Sequence, residues 1–356
     1  MLNNKEKVRN DSANMGLTGW LGVMEDKNTM TIADVAKALG VSKTTVSRAI
    51  SGKGRIGKET RERVQAFIEA HDYKPNIIAR GLAQSKTFNI CAVMHGDYEI
   101  GDFRFFQDCL FGIQEIASLV GYDILITICK GNDISSLERV IINQKVDGVI
   151  LMRTFVDDPR IEFLVQKGVP FVTVGSTKRE GVVQIDHNHR SACKELTSIL
   201  LMKGLNKIAL IGGDVNHVVT RKRYQGFREA YEQLGVELND NLLFLNVENN
   251  VLVDKAVKRA LSESVDCILC MDDVVCSRVL KTLREERISV PEDVRVASFY
   301  NSTILENNVP AITALGFDAK ELGMVSCKTV LDLIDGAVVN ERTLLPYEVV
   351  LKASTK

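Results

Sequence analysis

Lys43, Thr44, Ser47 and Arg48 recur at helical spacing, with Val46, Ala49 and Ile50 on the opposite side of the same pattern. A face that sets Lys and Arg beside hydroxyls can donate to guanine O6 and N7 and to phosphate oxygens. Further along, polar residues follow successive apolar runs: His95–Asp97, Arg153, Asp186–His189, Arg221–Arg223, Asp272–Asp273 and Tyr300–Asn301. Polar groups gathered at the carboxyl ends of parallel strands are placed to hold a small molecule.

The elements that must position the first set are short helices. Thr31 caps a helix whose third position is Asp34, a variant of the capping box, and Val35, Ala36 and Leu39 form its apolar face. Gly40 supplies the left-handed residue that ends it, Val41 plugs the turn, and Ser42 caps a second helix. The pattern is a helix-turn-helix with an exposed polar second helix. After the small residues of Ser51–Gly57, Val64, Phe67 and Ile68 form the stripe of a third helix. Gly57 stands where a capping hydroxyl is usual, at a cost of about a few tenths of a kcal/mol.

Charge is distributed to match. The 356 residues hold 45 Lys and Arg against 46 Asp and Glu, a net charge of −1 that by itself disfavours a polyanion partner. Between Met30 and Phe88, however, eleven basic residues face five acidic ones, so this head is +6 and the remainder is −7. A short basic head on an acidic body is a sign of nucleic-acid binding. Residues 1–29 hold four basic and four acidic residues, which excludes a basic arm; they read as a flexible extension.

The length suits two or three folded units, and 45% hydrophobic residues exclude a disordered chain. The eight cysteines lie in apolar runs, as reduced buried thiols do. No apolar run of about 18 residues is present, and the amino terminus lacks a secretory core, so a cytoplasmic protein with no membrane partner is expected.

Beyond residue 87 the pattern is α/β. Strands are expected at Asn89–His95, Asp123–Cys129, Gly148–Arg153, Pro170–Gly175, Lys207–Gly212, Cys267–Met271 and Arg295–Phe299. Helical stretches near 104–120, 135–145, 190–203, 221–234, 252–263, 274–287 and 318–335 fall between them. Alternation with continuous apolar strands implies parallel sheets covered on both faces. The segment after Pro75 offers Asn76 as a cap and only about two helical turns through Ala83, too short to be stable alone against the roughly 12–15 residues usually required.

Residues 30–86 resemble the DNA-binding head of the lac repressor (LacI/GalR) family, through VA–GVS–TVSR, ETRERV and Y-x-PN-x-x-AR-x-L in order. The likeness continues in VDGVIL at 146–151, KIALIGG at 207–213, R-x-R-x-x-GF at 221–227 and VPEDV at 290–294. The resemblance implies a helix-turn-helix domain at 30–75, a hinge at 76–86, and a two-lobed periplasmic-binding-protein type I body at 87–356. It implies base reading by Lys43, Thr44 and Arg48. Thr31, Ser42, Thr45 and Ser47 are better placed for phosphates or capping. The hinge, disordered off DNA, would bring Asn76, Ala79 and the wedge Leu82 to the minor groove. The family's ligand-holding Arg matches Arg223, and the effector set becomes Phe105, Arg153, Asn188, Arg223, Asp272 and Tyr300. Asp272–Asp273 and Tyr300–Asn301 depart from the usual Asn-Asp and Asp-Asp. A sugar or related metabolite is implied, and Asp272 suggests one bearing an amine. The expected partners are a pseudo-palindromic double-stranded operator, a small-molecule effector and a second copy of the chain; with no leucine heptad after Val349–Lys352, the dimer replaces a tetramer. No cofactor is expected.

Other motifs read as structural. His187-x-His189 has no third metal ligand, Cys267-x-x-Cys270 points its thiols to opposite faces of a strand, and Gly212-Gly213 lacks a full phosphate-loop signature. A transcriptional regulator, usually a repressor, is therefore the reading. The alternatives are an enzyme on a Rossmann-like body, disfavoured by the missing cofactor motifs and nucleophile–base set, and a transport receptor, disfavoured by the basic head.

Overall fold

The computed structural model describes residues 30–51, 54–73, 81, 84–96, 103–247 and 249–356. It divides into two compact units, one ending at Ser85 and one beginning at Lys86.

The first unit contains α1 (Ile32–Leu39), α2 (Lys43–Ser51) and α3 (Lys58–Ala70). The capping box at α1 is complete: Thr31 Oγ1 and its backbone N–H both donate to Asp34, at 2.7 and 2.8 Å, while the Asp34 N–H reaches back to Thr31. These bonds hold the Asp34 carboxyl below its ordinary range. Gly40 ends α1 at φ +65°, in the left-handed region that favours glycine. Val35, Ala36, Val46, Ala49, Val64 and Tyr73 form the small core, and Arg63 Nη2 donates to the Leu39 carbonyl at 3.2 Å, tying α3 to the end of α1.

The second unit holds two six-stranded sheets. In the first lobe the strands are β1 (Asn89–His95), β2 (Asp123–Cys129), β3 (Gly148–Leu151), β4 (Phe171–Val174), β5 (Val183–His187) and, from far along the chain, β11 (Arg342–Leu345), in the order β11-β5-β4-β3-β1-β2. All its pairings are parallel. The helices α4 (Phe103–Leu119), α5 (Ser135–Ile142) and α6 (Pro159–Lys167) intervene. The second lobe follows α7 (His189–Met202) with β6 (Ile208–Ile211), α8 (Val218–Leu234), β7 (Leu243–Phe244), α9 (Asn250–Ser262), β8 (Cys267–Cys270), α10 (Asp273–Glu285), β9 (Arg295–Ser298), the short α11 (Thr303–Glu306) and β10 (Thr313–Gly316). The helix α12 (Ala319–Ile334) then packs on α4 in the first lobe, and β12 (Glu348–Val350) closes the second sheet antiparallel to β10. The chain thus crosses between lobes three times.

The expected strands are present within a residue or two. Five further strands and two helices, α6 and α11, were not read from the sequence. β5 carries Gln184, Asp186 and His187, all buried, which hides the apolar run that marks a central strand. Each sheet has a core on both faces, and Cys267 and Cys270 fall into different ones, as their odd spacing requires. All eight cysteines are buried and reduced, and burial pushes Cys91, Cys109 and Cys327 up to about 12.

Helix packing explains one motif glycine. A Cβ on Gly226 in α8 would sit 2.2 Å from the Arg190 carbonyl oxygen of α7. Gly226→Ala is expected to push the helices apart and cost about 2 kcal/mol in urea-induced unfolding, the usual scale of overpacking.

Candidate functional site

On α2 of the first unit, Lys43, Thr44, Ser47 and Arg48 are exposed, and Val46 and Ala49 are buried. The Ser42 hydroxyl accepts from the Thr45 N–H at 3.0 Å and lies 2.9 Å from Thr45 Oγ1, so this pair serves the helix start. Thr31 is likewise engaged in its capping box. The exposed polar face of α2 carries Lys43, Thr44, Ser47 and Arg48, while Thr31, Ser42 and Thr45 take the capping role that their types allow. Asn76, Ala79 and Leu82 lie outside the described residues.

In the body, a cavity of about 570 Å³ lies between the lobes, within the range of small-molecule sites. It is built from the carboxyl ends of the strands. From the first lobe come His95 at the end of β1, Arg153 after β3 and Asp186 from β5; from the second come Asp214 after β6, Asp272 after β8 and Tyr300 after β9. Phe105 faces Tyr300 across the cleft with ring centroids 5.9 Å apart, and the Arg153 guanidinium lies over the Phe106 ring at 4.9 Å. Arg223, on α8, donates through Nη1 to the Met271 carbonyl.

The lobes are closed on each other. The Val156 N–H donates to the Asn216 carbonyl at 3.0 Å, and the Val218 N–H to the Thr154 carbonyl at 3.3 Å. Lys222 of α8 reaches Asp186 Oδ2 at 3.3 Å and also donates to Ser176, whose hydroxyl donates to the same carboxylate oxygen at 2.7 Å. The other oxygen, Oδ1, accepts from the His187 N–H at 2.9 Å and faces His189 Nε2 at 3.5 Å. Burial, and next the nearby Arg223 charge, hold His189 well below its ordinary range, so it is neutral. The crossings pack around Phe317, whose ring stands 5.0 Å from His187 and 4.6 Å from His189.

Residues 31–76 match the family described as bacterial regulatory proteins, lacI family, and residues 197–355 match a periplasmic binding protein-like domain. Catabolite control protein A of Staphylococcus aureus is 26% identical over 333 residues, covering 92% of this chain and all of that one. The same protein from Staphylococcus xylosus is equally similar over the same span. A structure described as a transcriptional regulator CelR–cellobiose complex is 26% identical, with a TM-score of 0.67, over 91% of this chain and 99% of that one. The lac repressor dimer bound to operator and the anti-inducer ONPF has a TM-score of 0.77 at 21% identity over 92% of this chain and 99% of that one, a likeness of fold. The head of this chain, residues 31–76, is a lacI-family helix-turn-helix, joined to a periplasmic-binding-protein-like domain.

With this head and body it is a DNA-binding transcriptional regulator, with the helix-turn-helix and two-lobed body expected from its sequence. Five of the six expected effector residues line its cavity: Phe105, Arg153, Arg223, Asp272 and Tyr300. Asn188 is not among the lining residues; its side chain caps α7 by accepting from the Ser191 N–H at 3.2 Å. Asp272 caps α10, with Oδ1 accepting from Val274 and Val275 at 3.1 and 2.8 Å. This cap uses one side-chain oxygen as an acceptor, which the family's usual Asn would supply equally well. Asn301 and Arg221 also turn to their own lobe, pairing with Glu306 and the Val215 carbonyl. His187 and His189 have different partners and ring centroids 6.1 Å apart. Sequence reasoning missed the use of Asp186 as the hub between lobes, and Lys222 as its partner. The position of Lys222 beside Arg223 was the available signal.

In this two-lobed body the Lys222–Asp186 pair carries part of the closure. Lys222→Met leaves a carboxylate with 6% side-chain exposure short of its cation. Solvent reaches the Lys222 side, so the expected loss is about 1–2 kcal/mol in urea unfolding, below the figure for fully buried pairs. Small-angle scattering should register a larger radius of gyration for the opened body.

Proposed function

We propose that this regulator holds a polyhydroxyl small molecule between its lobes and that the bound molecule changes its affinity for a pseudo-palindromic operator. The observation that carries this reading is the closed polar cavity at the strand ends, on one chain with a helix-turn-helix whose exposed face bears Lys43, Thr44, Ser47 and Arg48. The neighbouring CelR structure holds cellobiose, which supports a sugar or related metabolite as the effector. Lys43, Thr44 and Arg48 read bases, and Phe105, Arg153, Arg223 and Tyr300 contact the effector. Residues 76–86 transmit the lobe angle to two heads related by a two-fold axis, with Leu82 as the wedge. The protein acts in the cytoplasm by binding alone, without catalysis. Linkage makes the coupling reciprocal: an effector that weakens operator binding is itself bound more weakly on DNA.

Selection of duplexes from a random pool by the full chain tests the reading. The expected result is enrichment of a sequence with two inverted half-sites, bound with a steep dependence on salt. Enrichment of no sequence above background overturns it.

A further inference from the structure

Among the described residues, two buried polar atoms of cavity-lining side chains lack hydrogen-bond partners. Nδ1 of His189 and Nε of Arg223 are both buried, and neither meets a hydrogen-bond partner. Both residues line the cavity, and His189 is only 8% exposed. Buried polar groups left in this way cost stability unless something completes them.

The chemistry of each atom is fixed by its surroundings. Asp186 Oδ1 faces His189 Nε2, so the ring proton belongs on Nε2 and Nδ1 presents a lone pair. Asp186 is in turn held by Ser176, Lys222 and the His187 N–H, which fixes the carboxylate that selects this tautomer. Arg223 cannot lose its charge, and its Nε–H is always a donor. The pair thus offers one acceptor and one donor.

We propose that His189 and Arg223 together read a hydroxyl of the effector, which donates to Nδ1 and accepts from Nε–H. A carboxylate or phosphate oxygen would satisfy Arg223 but set its lone pairs against that of Nδ1. An ammonium group would satisfy Nδ1 and be repelled by Arg223. A hydroxyl does both. His189 is a specificity-determining residue on this account, and sites built to hydrogen-bond a hydroxyl discriminate strongly against ligands that lack it. The inference rests on the reading of this cavity as the effector site and adds His189 as a residue that selects for a hydroxyl there.

The test is thermal shift and calorimetry on the full chain with glucose, xylose, maltose and cellobiose, with succinate and putrescine as hydroxyl-free ligands of either charge. At least one sugar is expected to raise the unfolding temperature, and neither control. His189→Leu is expected to weaken that sugar at least tenfold, and His189→Gln, whose amide oxygen is an acceptor, to recover part of the loss. The recovery separates recognition from a packing role, and His189→Gln serves if the leucine variant does not fold. Should Arg223→Ala abolish sugar binding while His189→Leu leaves it unchanged, as when water alone fills this corner, the effector-site reading stands and the role of His189 is overturned. Binding of none of the sugars, or of a control alone, overturns both.

Discussion

Arg160→Ala is expected to lower the unfolding free energy of the body by about 4 kcal/mol, the scale seen when one partner of a buried ion pair is removed. Arg160 is 1% exposed and pairs with Asp158 through two parallel bonds, Nε to Oδ1 at 2.8 Å and Nη2 to Oδ2 at 2.6 Å. Nη2 also donates to the Arg153 carbonyl at 2.6 Å, and the guanidinium lies over the Phe155 ring at 4.6 Å. One side chain therefore organises the loop from Arg153 to Asp158. That loop supplies Arg153 and Thr154 to the cavity and carries the backbone contacts that Thr154 and Val156 make with the other lobe. The loss should be visible in urea unfolding and accompanied by weaker effector binding. Arg160→Met with Asp158→Asn removes both charges while keeping a capping side chain. It should recover about half of the lost stability, because much of the cost of the single change is a buried carboxylate with no counter-charge.

The double variant Lys43→Ala, Thr44→Ala is expected to reduce affinity for the selected operator by about 10²–10⁴-fold, at about 1–3 kcal/mol per base contact. Both side chains are exposed at the start of α2, and neither contributes to the head's core. Thermal stability should therefore remain at the wild-type value. Affinity for unrelated duplex should fall much less, with the salt slope reduced by about 1 for the lost Lys. Fluorescence anisotropy on the two duplexes across a salt series measures all three quantities. Equal losses on both duplexes would place Lys43 and Thr44 on phosphates and not on bases.

The head was legible because its signals are local. Thr31 and Asp34, Gly40 and Ser42 each act within one turn of a helix, and the caps stand where the sequence places them. The parallel strands β1, β3 and β8 were equally plain, being apolar runs buried on both faces, and β2 at the sheet edge kept an apolar run although Ile126 and Ile128 are exposed. β5 was not, because Gln184, Asp186 and His187 spend their polarity on partners remote in sequence, among them the Thr177 N–H, Lys222 and the Pro346 carbonyl. The helix α6 escaped notice although Asp158 and Pro159 form a sound start, capped by the Asp158 side chain.

The cavity follows the same division. Residues at strand ends could be named in advance, since topology alone brings carboxyl ends together. Which of them turn inward could not. Asn188 was drawn to its own helix, and Asp186 and Lys222 meet only because two lobes close over them. The near-neutral net charge misleads for a related reason: it sums a basic head and an acidic body that have different partners.

The central claim is that the cavity controls the head. Its most direct test is the dissociation constant for the selected operator with and without the sugar that stabilises the wild-type protein, measured for the wild type and for Arg223→Ala. The expected result is a shift of at least about fivefold in the wild type, the lower end of ordinary allosteric coupling, and none in the variant, with operator affinity unchanged when no sugar is present. A wild-type operator affinity that the bound sugar leaves unmoved, or a response that persists in Arg223→Ala, would contradict it.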